Sequence, residues 1–168
     1  ENGGGVHQAA IFHCPFRCQA GGMRARLNPL DGQLYASGLK GWQTSGAKDG
    51  CLQRVRFTGA KVSMPRSLNI HENGIRVGFT QQLDKELAED LDSWQIEQWN
   101  YQWTSKYGSK EYKVSEPSAT GHDKVEVRSA RLLPGGQEVF LEIPKLAPVM
   151  QMKIEFDLET ANGDEMIG

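Results

Sequence analysis

The sequence predicts an all-β chain whose larger part is an antiparallel β-sandwich, and three observations carry that expectation. From Met150 to Glu159 apolar and polar residues alternate without a break. Met150, Met152, Ile154, Phe156 and Leu158 fall on one side, and Gln151, Lys153, Glu155, Asp157 and Glu159 on the other. Only a strand has a side-chain period of two, so this segment has one dry face and one wet face. That is the pattern of an antiparallel sheet rather than of a parallel sheet covered on both sides. Second, residues 125–133 and 138–143 flank the turn Pro134-Gly135-Gly136, giving a hairpin with Val139, Leu141 and Ile143 on one side. Third, 19 glycines and 7 prolines in 168 residues suit a turn-rich β chain better than a helical one.

The elements follow in order. Residues 23–27 lead into Asn28-Pro29-Leu30-Asp31-Gly32, where Pro29 fixes φ and Gly32 supplies a positive φ. Residues 33–39 return as the partner strand of a hairpin. A polar loop over 43–50 precedes a third strand over 51–57, in which Cys51, Gln53, Val55 and Phe57 alternate with Leu52, Arg54 and Arg56. Three such strands are too few to bury a core, so residues 1–66 are expected to form a β-hairpin segment leaning on the rest, or on protein outside this sequence. From residue 67 to 168 the pattern is that of the sandwich. Ile75, Val77 and Phe79 share one face of a strand ending at Thr80. Asp84 stands as the N-cap of a helix over 84–91, about two turns long. An aromatic strand over 94–103, an irregular stretch to Asp123, the hairpin at 125–143 and the final strand complete the set.

Bulk properties exclude several function classes. Net charge is −2 with 24% charged residues, and the scattered basic residues do not suit nucleic acid or an anionic membrane. No apolar run reaches the roughly 20 residues needed to cross a bilayer. The chain starts at Glu1 without a signal peptide, so it reads as a mature product or an excised piece of something longer. Cys14, Cys18 and Cys51 are an odd set, allowing at most one intramolecular disulfide. The pairing stays open, and buried free thiols are the alternative. His13-Cys14-Pro15-Phe16-Arg17-Cys18 lacks the Cys-x-x-Cys-His order of covalent haem attachment. A zinc site would need a fourth ligand, and adjacent His13 and Cys14 point opposite ways on a strand. No metal or cofactor is expected.

The run from Trp94 to Trp103 is the main candidate site. On a continuous strand Trp94 and Ile96 face the core, while Trp99, Tyr101 and Trp103 line the outer face with Glu97. Exposed aromatic strips bind sugar rings or protein partners, because stacking supplies contact area at little entropic cost. Packing against the N-terminal hairpins is the competing expectation. Trp42, at a strand-to-loop junction beside Gln43 and Thr44, is weighed in the same way. Asp84, Asp90 and Asp92 match no calcium loop. His71, His122 and Asp123 have no serine or cysteine in a nucleophile context, and Gly121-His122-Asp123 reads as turn chemistry. The chain alone is therefore expected not to be an enzyme.

Two resemblances add to this. Residues 75–80, Leu83-Asp84, 87–91, Trp94-Gln95-Ile96, the stretch Ala130 to Gly136, 139–143 and Leu146-Ala147-Pro148 occur in an order that resembles bacterial Ig-like modules. The match spans residues 74–168 and implies an Ig-like sandwich, from which the insert between about Asn100 and Lys124 departs. The stretches Gly21 to Tyr35, Gly38 to Thr44 and Leu52 to Gly59 look like the last blade of a β-propeller. The propellers meant are those of secreted bacterial proteins of the sorbosone/glucose dehydrogenase type, often linked to c-type haem domains. The resemblance implies a periplasmic or extracellular accessory module of a larger protein. Its implied partners are the remainder of that protein, another protein, or a glycan. Catalytic and cofactor residues of such propellers lie in earlier blades, so none transfers to this chain.

Overall fold

The computed structural model describes residues 18–41 and 48–166, and the chain divides between Lys61 and Val62 into two compact units. The first is an antiparallel meander of β1 (Gly21–Leu27), β2 (Leu34–Leu39) and β3 (Gly50–Val55), in that order across the sheet. Its first turn closes as the residues dictate. Gly32 takes φ 66°, and its N–H donates to the Asn28 carbonyl at 2.8 Å. The Asn28 and Asp31 side chains accept from the N–H groups of Leu30 and Gln33, each at 3.0 Å. The bond from Gln33, backed by the Tyr35 hydroxyl, holds the Asp31 carboxyl below the usual carboxylate range. Among the described residues of this unit only Ala20 and Ala36 are buried hydrophobics, in keeping with the little that three strands bury. Cys51, Gln53 and Val55 are the more covered side of β3, as the alternation predicts. Cys18 and Cys51 are free thiols, so no disulfide joins them. Cys14 and Trp42 lie outside the described residues.

The second unit is the sandwich. In chain order it comprises β4 (Pro65–His71), β5 (Gly74–Phe79), α1 (Lys85–Glu89), β6 (Trp94–Tyr101), β7 (Glu111–Tyr112), β8 (Asp123–Lys124), β9 (Ser129–Leu132), β10 (Glu138–Glu142) and β11 (Gln151–Phe156). One antiparallel sheet has the order β4-β5-β10-β9. In the other, β6 pairs with β11 along one edge, and the short β7 and β8 also pair with β6. The first order is that of the A-B-E-D sheet of the Ig fold, with β6 and β11 in the places of C and F. No counterpart of strand G occurs among the described residues.

The core lies between these sheets. Ile75, Val77 and Phe79 from β5 and Val139 and Leu141 from β10 meet Trp94 and Ile96 from β6, with Met152, Ile154 and Phe156 from β11 packed against them. Phe79 is the hinge of this contact. Its ring stands edge-on to Phe156 at 5.4 Å and to Trp94 at 6.5 Å, joining the two layers through aromatic packing. The alternation of the final strand holds throughout: Met152, Ile154 and Phe156 are partly buried, Leu158 is buried, and the odd-numbered residues 151–159 are exposed. Only Met150, before the strand, is exposed on the apolar side.

Several boundaries differ from the sequence expectation. β4 starts at Pro65, a residue tolerated at the head of an edge strand, and pairs with β5 from there. Its mixed residues carry no clean alternation to announce it. The helix is only five residues long, because Asp90 turns extended at ψ 125° and caps a 3₁₀ turn over Leu91–Ser93 instead. The aromatic strand stops at Tyr101 rather than Trp103. The strand expected over 125–133 changes sheets midway. Val125 N–H donates to the Ile96 carbonyl of β6, whereas Arg128 N–H donates to the Glu142 carbonyl of β10.

Candidate functional site

β6 sorts its side chains by parity over Trp94, Gln95 and Ile96, and from Glu97 to Tyr101 all are intermediate in exposure. Trp94 and Ile96 point inward and are 5% and 4% exposed. Glu97, Trp99 and Tyr101 share the opposite parity and are half-buried. Trp99 is covered by His122, whose ring stacks on it at 4.0 Å with planes 12° apart. Trp99 Nε1 is buried there without a hydrogen-bond partner.

His122 reaches this position because the insert folds into an arm beside β6. β7 pairs with the end of β6 through Asn100–Tyr112 and Tyr101–Glu111. Lys113 N–H donates to the Ala119 carbonyl and Gly121 N–H to the Glu111 carbonyl, both at 3.0 Å. The arm returns through Gly121, whose φ of 121° favours glycine, and delivers His122 between two carboxylates. His122 Nδ1 lies 3.0 Å from Glu97 Oε2, and Nε2 lies 2.7 Å from Glu111 Oε2. Next in chain, Asp123 accepts hydrogen bonds from the Ser115 N–H and hydroxyl, each at 2.7 Å.

These contacts set the charges. The hydrogen bonds that His122 donates to Glu97, then to Glu111, raise its pKa above the ordinary value and favour the imidazolium. The same contact with His122 lowers the Glu97 carboxyl. The Ser115 bonds, side chain first, lower Asp123. Ser115 is bonded to Asp123 and His122 to Glu97 and Glu111, so the serine, histidine and aspartate do not form the relay that activates a nucleophile.

The sequence candidates separate in space. Tyr101 ends β6 and is half-buried. Trp103 lies past the strand and is 101% exposed, so the three aromatics do not form one flat strip. Tyr107, which the sequence reading did not single out, is 97% exposed on the same loop. Its signal was present: an aromatic residue among Lys106, Gly108 and Ser109 has nothing local to pack on. His122 read as turn chemistry and Glu111 gave no signal, because the arm that joins them to β6 is long-range.

Other candidates resolve into structural roles. Asp84 caps α1, accepting from Leu87 N–H at 3.0 Å, and Asp90 accepts from Asp92 N–H at 3.0 Å. His71 packs edge-on to Phe140 at 5.8 Å. A shallow depression of about 180 Å³ is lined by Asp92, Ser93, Gln95, Glu155, Phe156 and Asp157. Among the described residues no three His, Cys, Asp or Glu side chains converge as metal ligands, and no helix is long and apolar enough to cross a membrane. No protein family, curated protein or solved structure matches the chain.

Proposed function

We propose that the chain is a non-catalytic interaction module that presents the 102–110 loop to a partner. The observation that carries this reading is the pair of fully exposed aromatics, Trp103 and Tyr107, on a loop whose two ends are held by β6 and β7. Large aromatic surface left in water costs free energy that contact with a partner recovers. Held ends lower the ordering entropy paid on contact. The resemblances in the sequence favour reading it as part of a larger secreted bacterial protein, periplasmic or extracellular, beside a propeller dehydrogenase-like region. Catalysis by this chain alone is not part of the proposal. Supplying a quinone cofactor and calcium should give no turnover with sugars, and turnover would make the chain a quinoprotein-type fragment with its own site.

A glycan is the second reading, favoured by the same two rings, since sugar faces stack on exposed aromatics. Replacing Trp103 and Tyr107 with alanine separates these readings from a bland loop. Both side chains are solvent-exposed, so folding by circular dichroism should be unchanged. Binding on a glycan array, or to the remainder of the parent protein, should be lost. Full binding by the double variant would end the assignment of the loop.

A further inference from the structure

We propose that His122 is a proton-operated latch that ties the insert over residues 102–122, which carries the exposed Trp103 and Tyr107, to β6. The argument starts from hydrogen counting. An imidazolium donates from both ring nitrogens, whereas a neutral imidazole carries one N–H. His122 faces a carboxylate oxygen at each nitrogen, Glu97 at 3.0 Å and Glu111 at 2.7 Å. The cation satisfies both. The neutral ring satisfies one and sets a lone pair against the other carboxylate.

The two carboxylates belong to strands of unequal hold. Glu97 sits within β6, opposite Lys153 of β11 and Lys124 of β8. Both lysines offset its charge. Glu111 sits on β7, which is joined to β6 at two positions only. Deprotonation therefore opens the Glu111 side, and β7 with it. The parallel Trp99 face under the ring favours the cation further. Of the remaining charged groups on the arm, Asp123 is engaged by Ser115, and Lys113 lies along Gly121 and acts on Asp123.

The sign follows from the raised His122 pKa. The latch is fully closed below the unfolded value of 6.5 and opens as pH rises through the higher folded value. Glu97 must also stay ionised, which sets the lower limit of the window near its own depressed value. Its consequence for recognition rests on the proposed role of the loop; the latch itself does not.

The test is amide hydrogen exchange on the whole chain between pH 5.5 and 9, read as protection factors, with His122 titrated in parallel by NMR. Protection at Asn100 and Tyr112, a pair that joins β6 to β7, should fall roughly two- to fivefold, the range of an exposed ion pair. The midpoint should coincide with that of His122, and the Ile96 and Ile154 amides should not change. His122→Gln should show no such step. A flat wild-type profile, or the same step in the variant, overturns the proposal. Should that variant fold poorly, Glu111→Gln must lower the His122 midpoint and remove the step; an unmoved midpoint also overturns it. No ligand enters this assay, so failure of the latch leaves the loop assignment standing, and the reverse holds too.

Discussion

One substitution made at two positions of β6 separates a satisfied indole from an orphaned one. Trp94 is 5% exposed, and its Nε1–H donates to the Ala88 carbonyl at 3.1 Å. Replacing it with phenylalanine sheds roughly 40 Å² of apolar surface, about 1 kcal/mol at about 25 cal/mol per Å². It also leaves the Ala88 carbonyl buried without that donor, a further cost of about 1–3 kcal/mol. Trp94→Phe should therefore destabilise by about 2–4 kcal/mol. Trp99 is only half-buried, which halves the area lost to about 0.5 kcal/mol. Its Nε1–H is buried without a partner, and removing such a donor recovers about 1–3 kcal/mol. The phenyl ring can still stack on His122. Trp99→Phe should thus be stabilising by about 0.5–2.5 kcal/mol, opposite in sign to Trp94→Phe. Urea unfolding followed by far-ultraviolet circular dichroism measures both, provided the denaturant slopes agree with wild type. A loss above about 1 kcal/mol for Trp99→Phe, or equal losses at the two sites, refutes the hydrogen-bond argument.

Three further outcomes follow from particular contacts. A β-carbon at Gly74 would run into the Leu141 carbonyl and the Phe140 ring, so Gly74→Ala should cost about 1–3 kcal/mol in the same unfolding assay. Asp84→Ala removes the cap on Leu87 N–H and should cost about 1 kcal/mol, seen as a lower midpoint with an unchanged slope. Asp123 is held below its ordinary pKa of 3.8 by Ser115. The stability it lends is present above 3.8 and fades as pH falls through the lower folded value. Ser115→Ala should raise the Asp123 midpoint in an NMR titration, and its stability deficit should shrink from pH 5 toward pH 2.

The sandwich was legible because its longest strands announce a period of two. The stretch from Gln151 to Phe156 alternates between wet and dry, and β5 and β10 place Ile75, Val77, Val139 and Leu141 on one side each, where the core lies. Asp84 was legible as a cap because capping is a local act. The site was not, since its parts are local nowhere. Glu97, Glu111 and His122 meet only after β7 and Gly121 have folded the arm back. Trp99 and Trp103 share a parity in sequence, yet one is covered and the other is bare, because the strand stops between them. Residues 125 and 128 read as one strand although they bond to different sheets, for nothing in alternation marks a change of partner.

The unequal borders of β6 also dictate how the module answers a mechanical load. Along β11 it is joined over six consecutive residue pairs, while β7 and β8 hold it by two pairs each. Tension applied through the 102–110 loop loads the ends of β6 and β7 together, and the two-pair seam between them is the shorter one to break. A tug on the loop would let the arm pay out slack before the two-layered body yields.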